Sequence, residues 1–261
     1  MTRSAGATPA AGGAGIFSPL AEPYARFRPS YPEPLFDAIW ERCPAWPPRA
    51  FDLAAGAGAA TAPIARRGAR AVAVDPALTM LVRARERMGE RWAGGVAARS
   101  EWLPIADRAA DLVTVAQAFH WFEPTAALGE IARILVPRGV LAVFWNVVIP
   151  DDFARGVGAL VKRWNPGYDR PVSRRMYATP APLAADARFE VDAPREFLHA
   201  RTIDAERYVG YAFSWSYVGG ALDADELSEF ERELRQLIRR HHGDALWEER
   251  FATVLHLARR A

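Results

Sequence analysis

The sequence predicts an α/β protein built on a mostly parallel sheet with helices on both faces. Short apolar runs of strand length stand at Ala50–Ala54, Ala71–Asp75, Asp111–Ala116 and Gly139–Trp145. Between them lie segments of helical period, Ala59–Arg67, Pro76–Met88 and Pro124–Leu135. Strands that alternate with helices of this length form βαβ units, whose strands run parallel and are buried on both faces.

In chain order, residues 1–18 are rich in Ala, Gly and Ser and read as a disordered tail, leaving 19–261 as one domain. Pro, Tyr and Phe crowd residues 19–34, after which Leu35, Phe36, Ile39 and Trp40 mark a short amphipathic helix ended by Pro44, Pro47 and Pro48. Pro76 is expected at the first position of its helix, where its missing N–H costs nothing. Gly95–Ala98 is a weak strand, and Pro137 stops the Pro124–Leu135 helix. Asp151–Trp164 reads as helical, whereas Pro166–Pro182 is full of breakers and arginine and suits a lid. A strand falls within Phe189–Arg201, an aromatic helix covers Asp204–Trp215, and Asp223 with Glu226 resembles a capping box. That box opens a long helix with the stripe Leu227, Phe230, Leu234, Leu237 and Ile238, and Phe251–Leu257 is a closing strand. Segments at about 19–34, 150–185 and 203–222 are thus candidates for a small cap.

Composition narrows the function classes. With 261 residues, 51% of them hydrophobic, the chain builds a sizeable core without staples. One cysteine, Cys43, excludes a disulfide framework, and no Cys/His group has zinc spacing, so no metal is expected. The formal charge is only +2, and Lys162 is the sole lysine among 33 basic residues. Arg66, Arg67 and Arg70, and likewise Arg83, Arg85, Arg87 and Arg91, flank apolar helical positions and read as solvated faces, not as a nucleic-acid grip. No apolar run reaches membrane-spanning length, and residues 1–15 lack a signal-peptide pattern, so a cytoplasmic protein is expected. Oligomeric state is not legible.

The chemistry concentrates in Phe51-Asp52-Leu53-Ala54-Ala55-Gly56-Ala57-Gly58-Ala59-Ala60-Thr61, where an apolar strand runs through two glycines into a helix. Glycines at such a turn let backbone approach a ligand closely. Seventeen residues past Gly58 the next strand ends in Asp75, whose carboxylate suits two ribose hydroxyls. Together they favour a nucleoside-type ligand over a purely structural turn. Asp52 discriminates further: a carboxylate there repels a pyrophosphate but suits an α-ammonium group, and the glycine pattern is not the full dinucleotide fingerprint.

Further pieces extend the pattern: Tyr24-x-x-x-Arg28-Pro29-x-Tyr31-Pro32, Val74-Asp75-Pro76 with Met80, Ser100-Glu101-x-Leu103-Pro104, Asp111-Leu112-Val113, Gln117-Ala118-Phe119-His120-Trp121-Phe122, Ala132-Arg133-Ile134-Leu135 and Val143-Phe144-Trp145-Asn146, with Ser214-x-Ser216-Tyr217-Val218 as a weaker match. In this combination, from about residue 20 onward, the sequence resembles the class I S-adenosylmethionine-dependent methyltransferases, in the branch of methyltransferase type 11 and trans-aconitate methyltransferase. The resemblance implies a Rossmann-like seven-stranded sheet with its last strand antiparallel, and S-adenosylmethionine as cofactor. It places Asp52, Ala54, Gly56 and Gly58 around the methionine moiety, Asp75 on the ribose with Pro76 and Met80 beside it, and Ser100 and Glu101 beside the adenine. Gln117 and His120 would lie near the methyl group, while Tyr24, Arg28 and Tyr31 would fold over the cofactor, Arg28 pairing with its carboxylate. Ala54 stands where the family has its first loop glycine, Arg99 where an acidic or small residue is usual, and Pro137-Arg138-Gly139 where Pro-Gly-Gly is.

Methyl transfer from a sulfonium is an in-line displacement, so the protein's work is mainly alignment. An apolar pocket favours the loss of positive charge; Phe119, Trp121, Trp145 and Trp215 are candidates to supply it, and core packing is the competing role for Phe119 and Trp215. His120 is the candidate base if the acceptor must lose a proton, with Asn146 and His199 behind it. Trp121, Trp145, Asn146 and Trp215 are the candidate substrate residues, for a small-molecule methyl acceptor such as a carboxylate or secondary metabolite. Arg174 and Arg175 could meet an acidic one. A non-catalytic S-adenosylmethionine-binding protein and a dinucleotide-dependent oxidoreductase stay open as alternatives.

Overall fold

The computed structural model describes residues 20–168 and 180–261. The tail expected at 1–18, and most of the Pro166–Pro182 lid with Arg174 and Arg175, lie outside the described residues.

Five parallel strands form the first part of the sheet: β1 Arg49–Leu53, β2 Arg70–Val74, β3 Gly95–Val96, β4 Ala110–Ala116 and β5 Leu135–Val148. β6 Phe189–Val191, β7 Arg195–Ile203 and β8 Trp247–Arg260 complete it in the order β3-β2-β1-β4-β5-β8-β6, with β7 also on β8. β6 and β7 lie end to end along one edge of β8, on Ala258–Arg260 and Trp247–Leu255. The eight strands therefore fill seven positions, and only β8 runs against the rest. The expected sheet is thus present, with its seventh position, the edge beyond β8, split between β6 and β7 by the short link at residues 192–194.

The central strands are buried on both faces, and successive side chains alternate between two cores. Leu141, Val143 and Trp145 join Val113, Val115, Leu128 and Ile131 in one core. Val140, Ala142 and Phe144 join Leu112, Leu35, Ile39 and Ile64 in the other. The helices supplying these faces are α2 Glu33–Trp40, α3 Thr61–Arg66, α4 Leu78–Met88 and α5 Pro124–Ile134, preceded by α1 Ala21–Phe27. A third core joins α6 Asp152–Trp164, α8 Ala205–Phe213 and α9 Ala224–His242 (α7 is Ala181–Ala184) through Phe153, Tyr208, Trp215, Phe230 and Trp247. Because Val148 pairs with Phe251 and Ile203 with Trp247, this cap sits at the carboxyl ends of the parallel strands.

Several boundaries differ from the sequence reading. Pro76 is not helical: α4 starts at Leu78 with Ala77 as its N-cap residue, because Asp75 Oδ1 takes the Ala77 N–H at 2.8 Å and holds an extended turn. Pro137 does not separate helix from strand. α5 passes straight into β5 at Leu135, and Arg138 takes a positive φ of 63° so the strand continues. The crowded Pro/Tyr/Phe segment contains the seven-residue α1, with Pro23 near its start. The capping box at Asp223 and Glu226 forms in both directions.

Candidate active site

Two cavities open at the carboxyl ends of the parallel strands. The first is bounded by Leu53 and Ala54 at the end of β1, Val74 and Asp75 at the end of β2, Ala98 after β3, and Ala116 and Gln117 at the end of β4. Open α/β sheets place ligands at this position, where successive crossovers diverge. Two non-glycine residues on its wall have positive φ, Ala54 at 51° and Gln117 at 59°. Such backbone costs on the order of 1 kcal/mol per residue and collects at ligand sites.

Asp75 is 7% exposed. Its Oδ2 accepts the Gly56 N–H at 2.9 Å and its Oδ1 the Ala77 N–H. Burial raises its pKa and the two backbone donors oppose that rise. Each oxygen keeps a second lone pair, so the group can still accept two hydroxyls. Gly56, at φ 53°, brings its bare Cα against the ring of Tyr24, which a Cβ would meet at 3.2 Å. Pro76, Met80, Ser100 and Glu101 line the same cleft. Glu101 also accepts the Glu123 N–H at 3.0 Å and pairs with Arg99, so the unusual arginine lies against a cleft carboxylate.

Other sequence candidates fall elsewhere. Asp52 does not line the cleft. It is buried beneath the loop, where Thr61 Oγ1 at 2.6 Å and Thr114 Oγ1 at 2.7 Å donate to its two oxygens, and burial lifts its pKa to about 6. In this position both of its oxygens are already engaged by threonine hydroxyls. The signal was available: Thr114 is the one polar residue inside an otherwise apolar run, Leu112–Ala116. Gly58 also leaves the cleft; a Cβ there would meet Ala84 Cα at 3.2 Å, so this glycine serves close packing against α4. Tyr31 packs edge-on to Phe144 at 4.8 Å and lines neither cavity. Trp145 points into the sheet core against His256 at 5.5 Å, not into an acceptor pocket. The reason is alternation: Asn146, its neighbour along β5, takes the other face.

The second cavity holds His120, Asn146 and Trp215, and also Arg28, which does not line the first. Arg28 Nη2 donates to Ser214 O at 2.9 Å while its guanidinium lies over the Tyr24 ring at 4.6 Å. Asn146 Oδ1 accepts from Thr253 Oγ1 at 2.6 Å and sits 3.3 Å from His199 Nε2, and its Nδ2 donates to Ser30 O at 3.0 Å. Phe119 is buried in the first core and lines neither cavity. Tyr168, Tyr208, Tyr211 and Tyr217 wall the second cavity, although only their aromatic composition was conspicuous in sequence. Tyr24, Gln117 and Trp121 line both cavities, so they form the boundary across which the two communicate. Among the described residues no group of acidic, Cys or His side chains could hold a metal ion.

A doubly covered parallel sheet, a glycine turn after β1 and a buried carboxylate after β2 thus frame a cleft at the strand ends of an α/β domain, with a second chamber beside it. Comparison with known proteins specifies the class. Residues 51–143 match a family described as a methyltransferase domain. An uncharacterized methyltransferase of Mycobacterium tuberculosis is 35% identical over 172 residues, which cover 65% of this chain and 66%, just under two thirds, of the relative. A demethylmenaquinone methyltransferase of Corynebacterium kroppenstedtii is 40% identical over 105 residues, 39% of this chain and 44% of that one. A solved structure from Anaeromyxobacter dehalogenans, titled as a type II methyltransferase, superposes with a TM-score of 0.65 at 25% identity, covering 89% of this chain and 98% of the other. The matched segment, residues 51–143, is thus a methyltransferase domain, and the cofactor of that class is S-adenosylmethionine.

Proposed function

We propose that this chain transfers the methyl group of S-adenosylmethionine to a small organic acceptor held in the second cavity. One observation carries the reading: a nucleoside-type cleft and an aromatic chamber share the wall of Tyr24, Gln117 and Trp121. In this reading Asp75 takes the ribose hydroxyls, Ser100 and Glu101 flank the base, and Ala54, Gly56 and Tyr24 border the amino-acid end. Bound S-adenosylmethionine supplies an electrophilic methyl on a cationic sulfur. The residues supply alignment and a low-polarity wall, both of which lower the barrier to displacement. Trp121 and Trp215 border the acceptor and exclude water, and His120 is in place to take an acceptor proton on a ring nitrogen.

The test is S-adenosylhomocysteine titration followed by thermal unfolding. Ligand that binds only the folded state raises the midpoint with concentration. Asp75→Ala is expected to weaken that binding by roughly 1–3 kcal/mol, and Asp75→Asn by less. Purified, demonstrably empty protein whose midpoint stays fixed at millimolar ligand would refute the reading. Unchanged affinity in both variants would remove Asp75 from the site. Mass spectrometry of small molecules that copurify searches for the acceptor directly.

A further inference from the structure

α1 is seven residues long and has no side-chain cap at its start. A helix of two turns does not hold itself in water, so its position is set by whatever grips it. Its two ends are gripped differently. Ala21, Tyr24 and Ala25 pack on Ala57, Ala77 and Met80, beside the first cavity. Phe27, the last residue, packs instead into the third core, that of the cap. Tyr24 lies between these contacts and lines both cavities.

The grip on the cap side is built on charge. Phe27 O is one of the carbonyls that a helix end leaves without an intrahelical partner. Arg201, on β7, donates to it through Nη1 at 2.8 Å and to Glu249 Oε2, on β8, through Nε at 2.7 Å. The same guanidinium lies over the Tyr211 ring of α8 at 4.5 Å. Glu249 is buried; burial raises its pKa and Arg201 opposes that rise. A planar fork lets one side chain hold a carboxylate and a carbonyl at once, which an ammonium group on a flexible stem does not. One residue beyond Phe27, Arg28 Nη2 reaches Ser214 O at the end of α8. Within α8 the bare Cα of Gly210 faces the Phe27 ring, which a Cβ would meet at 2.4 Å. Phe27, Arg201, Gly210 and Glu249 line neither cavity.

We propose that Arg201 is a positioning residue for methyl transfer: it acts through the Phe27 carbonyl to seat α1, and so fixes Tyr24 in the wall that the two cavities share. Glu249 orients the fork, and Gly210 leaves the space in which the Phe27 ring is seated. This seat matters to catalysis on the reading that the first cavity takes S-adenosylmethionine. A wall displaced by about 1 Å alters the fit of the ligands on both sides of it, and alignment is the protein's main contribution to the reaction.

The experiment separates seating from stability, because Arg201→Met alone strands the Glu249 carboxylate in the interior. A double variant, Arg201→Met with Glu249→Met, removes both charges together. Apolar side chains of similar size in place of a buried ion pair keep stability near that of the parent. The expected result is a thermal midpoint close to the parent's, with S-adenosylhomocysteine bound about tenfold or more weakly. Without ligand, amide exchange should quicken in residues 21–28 of the double variant and stay unchanged in β1 and β4. Gly210→Ala is the second variant. Helix propensity alone makes it stabilise α8, so a loss of binding of about tenfold there reports the displaced Phe27 ring. A pair that serves only stability predicts the reverse, binding that recovers as stability does. The proposal is overturned if the double variant binds S-adenosylhomocysteine within about twofold of the parent, or if exchange in α1 is unchanged. Should the double variant not fold, Gly210→Ala decides, and binding within about twofold of the parent overturns the proposal. A parent that does not bind S-adenosylhomocysteine would instead refute the broader functional reading, while the exchange comparison still tests the seat of α1.

Discussion

Asp52 shows how one residue's setting can be read in solution. Its carboxyl is buried, and burial raises its pKa to about 6 in the folded chain, against about 3.9 for an exposed aspartate. A raised value means that the folded state favours the protonated form. The resulting contribution to stability is complete below about pH 4 and is lost as the pH climbs through about 6, amounting to roughly 3 kcal/mol. An asparagine side chain in the same place has no such transition and can still bond both threonines. Subtracting the stability of Asp52→Asn from that of the parent should therefore give a difference that falls between pH 4 and pH 7. A flat difference would show that Asp52 ionises normally. Gly58 offers a second measurement at this scale. Its φ is 76° and the α4 backbone lies 3.2 Å from where a Cβ would stand, whereas Gly89 has a φ of 54° and open space around it. Gly58→Ala should therefore cost roughly 2 kcal/mol or more and Gly89→Ala about 1, in equilibrium denaturation. Equal losses would mean that only the backbone angle matters.

Among the elements, the helices with explicit caps were the most legible. Asp223 accepts the Glu226 N–H at 2.9 Å and Glu226 returns the bond to the Asp223 N–H at 3.0 Å, as the spacing of the two residues implied. Asp223→Ala should cost about 1 kcal/mol, measured as a lowered denaturation midpoint, because α9 begins by freeing that donor. The βαβ segments were legible for a similar reason: strand, turn and carboxylate are contiguous, so Gly56 and Asp75 could be paired from local order alone. Elements that depend on distant partners were not. β8 extends well past Phe251–Leu257 because β5 on one side and β7 and β6 on the other pair with successive stretches of it, and that partnership leaves no local signature. The second cavity failed for the same cause. Tyr208 and Tyr211 read as one face of an aromatic helix, and only the docking of α8 against α6 and β8 turns that face into a wall. Trp145 and Asn146 show the remaining limit, since a strand's alternation says that they part company but not which faces the ligand.

At the scale of the molecule, the separation of the two cavities makes a prediction. Trp215 lines only the second, so Trp215→Ala should weaken acceptor binding while leaving S-adenosylhomocysteine affinity within about twofold. Calorimetric titration of both ligands checks this, and the opposite pattern would show the two chambers to be assigned the wrong way round. The strand order has a different consequence, for the path by which the chain folds. β8 comes after β6 and β7 in sequence yet lies between them and β5. Until it is in place, the Val140–Val148 stretch of β5 is an open edge that includes the apolar run Val140–Trp145, and the two later strands have nothing to join. A nascent chain must carry that edge through the synthesis of more than ninety residues, and unpaired apolar edges are where aggregation starts. Pulse-labelled hydrogen exchange should find amides of β1, β4 and the β4-facing side of β5 protected before those of β7, so that the sheet matures outward from its parallel half and is sealed last by the strand that runs against it.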